Sequence, residues 1–312
     1  GWLKRKIRSR IADLVRVEVR RAAEEMLPLV TQLIEFRNSP QEDRQSYHDR
    51  TRLPLDERER SDAGLKDRLL SAGIPMEEVE IDTADFDCWL NDFPGLRKYY
   101  ESMGDVSIEK CLEHYLAFRH LDIAGAGVYI DIAADQSPWA KILNKKGIKS
   151  YRLDLAYPEG IRGLDIGADA GNTKLPPGFC SVISAQCACE CFTGDGDIRF
   201  VKEAARILKN EGRCGIVPLY LDDSYFILTS PYCDQKKVKI DSGARRVWRD
   251  DEYQEPFSRH YSPEVFQRRI YANLPDSLTG KVLYFRNLAD VVNRYQGQRI
   301  YCRFMFVCKK DR

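Results

Sequence analysis

The sequence predicts an α/β domain built on a mostly parallel sheet, preceded by an N-terminal helical extension. Two observations predict the sheet. Short apolar runs rich in β-branched residues recur between residues 127 and 219, and stretches with helical periodicity alternate with them. Such alternation marks βαβ units, whose strands are buried on both faces. A third observation predicts how the sheet ends. Two strand-like runs, 281–287 and 299–309, are joined by a short connection through 288–298 and so form an antiparallel pair.

The elements follow in order. In residues 3–36, Val15, Val19, Ala22, Met26, Leu29 and Leu33 alternate spacings of four and three, a short heptad-like seam. This predicts an amphipathic helix at 1–37, with three outlets for its apolar face: its own domain, a second copy of the chain, or a membrane surface. Pro28 falls inside it and is expected to kink or split it. Residues 38–64 are polar and read as a linker, so 38–84 is expected to be linker and helix, with the globular domain beginning near 85, where Phe86, Trp89, Phe93, Tyr99 and Tyr100 cluster. Ile108, Cys111, Leu112, Tyr115 and Leu116 predict a helix over 107–121. Strands are expected at 127–132, 149–155, 179–184 and 213–219, with helices at 137–146 and 197–208. Residues 222–275 are too long for a simple crossover and are expected to form an insertion or lid.

Composition sets limits on function. The 312 residues carry 49 basic and 48 acidic side chains, so nucleic-acid coating is not expected from bulk charge. The balance is nonetheless uneven: residues 1–21 are net +6, residues 51–120 net −7, and residues 236–312 net +8. The basic run from Lys236 to Arg249 is interrupted by Asp241 and followed by Asp250, Asp251 and Glu252, the pattern of a solvated loop. No apolar stretch approaches the ~20 residues of a membrane span, and no secretory leader pattern is seen. The ten cysteines lie mostly in apolar runs, where a thiol packs as a small hydrophobe, and a reducing, cytoplasmic setting is expected. Cys187, Cys189 and Cys191 would share a face if extended, but structural zinc prefers wider pairs and a fourth ligand, so no metal is expected.

Ligands of open α/β sheets bind at the carboxyl ends of the strands. The first strand runs into Asp131-Ile132-Ala133-Ala134-Asp135, and the second ends in Asp154-Leu155. Gly167-Ala168-Asp169-Ala170 precedes the third, which ends in Ala185-Gln186-Cys187. At these residues the chain resembles the class I, Rossmann-like S-adenosylmethionine (SAM) dependent methyltransferases, particularly the broad type-11-like group, over about residues 108–219. V-Y-I-D-I-A-A-D is similar to their first motif. Asp154 stands where they bind the ribose hydroxyls. G-A-D-A is similar to their Asp-Ala step beside the adenine, and the run from Val182 through the helix ending at Gly212 is similar to their fourth strand and following helix.

The resemblance implies a Rossmann-like, mostly parallel seven-stranded sheet with an antiparallel C-terminal strand pair. It also implies SAM as cofactor, held by Asp131, Ala133, Asp135, Asp154, Leu155, Asp169, Ala170 and Gln186, and methyl transfer to oxygen or nitrogen of a small-molecule or glycan acceptor. The chain departs from the family where the first motif's glycines read Ala133 and Asp135. Physical chemistry agrees with the assignment: carboxylates suit ribose hydroxyls, an adenine amino group and a sulfonium cation. No G-x-G-x-x-G offers a pyrophosphate cradle for NAD. His260, within the insertion, is the candidate general base, and Glu190 the candidate on the acceptor side. The rival expectation is a cofactor-free Rossmann-like scaffold acting through its N-terminal helix.

Overall fold

A computed structural model of the chain describes residues 15–31, 34, 47, 49, 51, 53–249 and 254–311. The chain divides into two compact units. The larger comprises Asp49–Tyr225 and Arg259–Arg312, and the smaller holds the remaining residues. In the smaller unit, residues 15–31 form helix α1. Val15, Val19 and Met26 of its seam are exposed, so the packing of this face on its own domain is not seen. The helix is not split at Pro28: it continues through residue 31.

The larger unit begins with α2 (Leu55–Ser71), β1 (Met76–Val79), α3 (Thr83–Asp92), α4 (Pro94–Tyr100) and α5 (Ser107–His120). The boundary expected at residue 85 is therefore too late. Leu65 and Leu69 of α2 are fully buried, and β1 pairs in parallel with a strand near the C-terminus. With the sequence Met-Glu-Glu-Val, β1 has no apolar run to announce it. The remaining elements are β2 (Tyr129–Ile132), α6 (Trp139–Lys145), β3 (Ser150–Arg162), β4 (Asp165–Gly167), β5 (Cys180–Gln186), α7 (Gly196–Ile207) and β6 (Leu208–Val217). The smaller unit contributes β7 (Phe226–Thr229) and β8 (Arg245–Trp248), which pair in parallel. After β9 (Ser258–His260), the chain returns through α8 (Pro263–Arg269), β10 (Leu278–Phe285), α9 (Leu288–Arg294) and β11 (Phe304–Lys310).

One eight-stranded sheet runs β1-β10-β11-β6-β5-β2-β3-β4. All its pairings are parallel except those of β11, which is antiparallel to both β10 and β6. This is the expected Rossmann-like sheet with its antiparallel C-terminal pair, extended by β1 at one edge. The strand order reverses between β2 and β5, so the crevice at their carboxyl ends is where a ligand binds in such a sheet. Aromatic packing covers that region. Trp89 and Phe93 lie 5.7 and 5.1 Å from Trp139, and α5 runs beside them with Leu112 and Leu116 essentially buried.

The 222–275 insertion is not a single lid. Residues 226–258 belong to the smaller unit, whereas 259–275 pack into the larger one. Arg259 and Tyr261, within the expected lid, are buried around Asp197. The Asp197 carboxylate accepts hydrogen bonds from Tyr261 Oη at 2.7 Å and Arg269 Nε at 2.9 Å, with Arg259 at 3.4 Å. Arg259 also donates to the carbonyls of Phe192 and Gly194. Three basic or phenolic groups around one buried carboxylate hold a segment in place and leave it little freedom to swing.

Candidate functional site

A cavity of about 170 Å³ lies at the strand-order reversal. Its walls come from the loop after β2, the end of β5, the inner face of α5 and the aromatic end of α4. Asp131, Ala133, Asp135 and Gln186, to which the motif reading assigns the cofactor, all line it. Ala133 and Asp135, which replace the family's glycines, sit at φ +51° and +39°. The left-handed loop conformation is thus kept although glycine is not, at a cost of order 1–2 kcal/mol for a residue such as alanine. Asp154, in β3 one residue past the stretch that pairs with β2, helps hold it. Its carboxylate accepts from the N–H of Asp135 at 3.0 Å and of Ala156 at 2.8 Å, and Tyr157 Oη donates to the Asp135 carbonyl.

Asp131 is 3 % exposed. Burial pushes its carboxyl up to about 7, against the opposing hydrogen bonds of Ser137 and Tyr129. Beneath it runs a polar chain. Tyr129 Oη meets Ser184 Oγ at 2.6 Å, Ser184 Oγ donates to Gln186 Oε1 at 3.0 Å, and Gln186 Nε2 lies 3.1 Å from His114 Nδ1. With the amide donating to Nδ1, Nε2 carries the proton and donates to Tyr100 Oη, 2.9 Å away. Burial pushes the His114 pKa down to about 3, so it stays neutral and positions Gln186.

Sequence reasoning missed the other end of the cavity. Lys110, Glu113 and His114 lie on one face of α5 by their three- and four-residue spacing, and all three line the cavity. Lys110 Nζ is 3.0 Å from Glu113 Oε1 and 2.6 Å from Cys187 Sγ; the Cys187 thiol in turn donates to Glu113 Oε1 at 3.2 Å. Tyr220 Oη and Tyr301 Oη stand 3.5 and 3.9 Å from the same sulfur. Burial raises the Glu113 carboxyl above the ordinary range, with Lys110 and Cys187 opposing. Burial likewise keeps Cys187 a thiol, although its backbone is left-handed at φ +46°. One turn earlier, Glu109 accepts from Tyr301 N at 3.0 Å, while its buried Oε1 has no partner. The sequence signal was available: three ionisable residues on a helix whose other faces are apolar.

Other expected residues lie off the cavity. Leu155 is 76 % exposed. Asp169 is engaged elsewhere: Arg199 binds it at 2.7 Å and the Gly171 N–H at 2.8 Å. Burial alone would raise its carboxyl, but these partners hold it below the ordinary range. Ala170 is buried in the same turn. Glu190 is buried in a 3-10 turn spanning Cys189–Cys191, and that turn takes the three cysteines off a common face. His260 is buried with its ring 5.0 Å from Tyr220 and is not among the residues that line the cavity. Among the described residues, no group of three or more His, Cys, Asp or Glu is placed to hold a metal, and no helix is long and apolar enough to cross a membrane.

No family model matches the chain, and no curated protein matches it. Solved structures similar to it include 1,6-didemethyltoxoflavin-N1-methyltransferase from Burkholderia thailandensis, with bound 1,6-didemethyltoxoflavin and S-adenosylhomocysteine (SAH). It is 11% identical over 76% of this chain and 94% of that one, with a TM-score of 0.42. A SAM-dependent methyltransferase from Archaeoglobus fulgidus is 12% identical over 72% and 99%, with a TM-score of 0.39. A Haloferax volcanii complex of a methyltransferase with its Trm112 activator gives 13% identity over 71% and 97%, with a TM-score of 0.42. Likeness at this level says nothing about what this chain binds.

Proposed function

We propose that this protein is a SAM-dependent methyltransferase acting on oxygen or nitrogen of a small-molecule or glycan acceptor. The charge of the cavity carries the reading. Three carboxyl groups, Glu113, Asp131 and Asp135, line it against Lys110; a bound sulfonium cation favours the ionised form of the two that burial raises, whereas a dinucleotide's pyrophosphate opposes it. Asp154 retains lone pairs beyond the two backbone N–H bonds it accepts, enough for a ribose diol. The left-handed loop lets backbone approach the ligand closely. The fit is incomplete in two respects: Asp169 is paired with Arg199, and the cavity is below the ~300 Å³ of ordinary ligand sites. Binding therefore needs the cavity to widen, and the exposed lining residues Tyr99 and Met103 are the side chains with room to move.

Bound SAM supplies an activated methyl group. The chain's own residues bind, orient and exclude water, so rate comes mainly from holding the acceptor in line. Asp131 and Asp154 hold the cofactor, and Gln186, fixed by His114, lies between the cofactor end and the Lys110–Glu113 end. Titration calorimetry with SAM and SAH tests the reading. Wild type binds both, and Asp154→Ala weakens binding about 10- to 100-fold, the worth of hydrogen bonds to a charged group. No binding by wild type would leave the cofactor-free scaffold, which the small cavity favours.

A further inference from the structure

Resting on that reading, we propose that the acceptor is a neutral hydroxyl compound whose oxygen sits against the Lys110–Glu113 pair, with Glu113 taking its proton. Lys110 Nζ and Glu113 Oε1 are 3.0 Å apart at the cavity wall, so one small group can touch both. Oxygen and nitrogen acceptors ask for different surroundings. An amine arrives protonated at neutral pH, and a fixed ammonium beside its site repels it. A hydroxyl arrives uncharged, needs a base as it attacks, and develops negative charge that a cation stabilises. The pair supplies both.

The remaining contacts serve the same end. The Cys187 thiol fixes one carboxylate oxygen at 3.2 Å, and Lys110 is itself tied to that sulfur at 2.6 Å. Tyr301 lies under Lys110, its ring centroid 5.4 Å from Nζ, which holds the cation at the wall. In the transfer, an oxygen lone pair forms the new C–O bond and the O–H proton passes to Glu113. The methyl–sulfur bond breaks with its pair left on sulfur, giving a neutral thioether, so charge and atoms balance.

The test uses two probes with the same number of heavy atoms, 4-ethylphenol, which is neutral at pH 7, and 4-methylbenzylamine, on the full chain with and without saturating SAH. Wild type should bind the phenol at least about tenfold more tightly than the amine. Lys110→Met should abolish that preference while SAH affinity stays within about threefold, and Lys110→Arg should keep it. If Lys110→Met misfolds because it leaves a buried carboxylate unpaired, the neutral double variant Lys110→Met/Glu113→Gln replaces it, with the same expected loss. Equal binding of the two probes by wild type, preference for the amine, or a preference that survives loss of Lys110 would overturn the proposal. SAH titration reports separately: a protein that prefers the phenol yet binds no SAH keeps its hydroxyl site and loses the cofactor reading.

Discussion

Replacing Asp131 by asparagine isolates one titration. Its folded carboxyl titrates at about 7, against 3.8 for an ordinary aspartate, because burial removes water from the charged form. Between those values the folded protein binds more protons than the unfolded chain. The stabilisation is complete below the unfolded value and is lost as pH rises through the folded one. Three units at ~1.36 kcal/mol each make ~4 kcal/mol in total, of which about 2.5 kcal/mol falls between pH 5 and 8. Asparagine keeps the shape and polar character but does not ionise. Urea unfolding at several pH values should therefore show wild type losing about 2.5 kcal/mol relative to Asp131→Asn from pH 5 to 8. Glu109 and Glu113, also raised by burial, tilt both curves alike and cancel in the difference. Parallel curves for the two proteins would refute the argument that the Asp131 carboxyl is desolvated.

Three other outcomes are expected. At φ +51°, Ala133→Gly should leave stability unchanged or raise it by up to ~1 kcal/mol, whereas Ala133→Val should lower it by ~2 kcal/mol or more, read from denaturant midpoints. Asp197→Ala leaves Arg259 and Arg269 without their buried carboxylate and should cost about 3–5 kcal/mol in the same assay, while SAH affinity in protein that remains folded is unchanged. The exposed seam of α1 is expected to drive self-association, so light scattering should give a smaller mass per particle, in units of chain mass, for a chain starting at residue 40.

The alternation of apolar strands and helices was readable because a strand buried on both faces must be apolar along its length, as Tyr129–Ile132 and Cys180–Gln186 are. The cavity-lining Asp131, Ala133, Asp135 and Gln186 were readable for a related reason: they stand at strand ends, where sheet topology places ligands whatever the side chains. By itself, then, the sequence determined the sheet, its antiparallel C-terminal pair and the loop around which a ligand would bind. Only the tertiary structure decided the rest. β1 joins an edge by backbone hydrogen bonds, which need no apolar signature, and so 55–79 belongs to the folded unit. Asp169 and Asp131 look equivalent in sequence, yet one is held by an ion pair with Arg199 and the other is buried on the hydroxyls of Ser137 and Tyr129. Lys110, Glu113, Cys187 and Tyr301 are spread over almost two hundred residues and become one cluster only when α5, β5 and the segment before β11 pack together. His260 was removed from the site by the same packing, since contacts between distant segments are set by how faces meet in space and leave no periodicity in the chain.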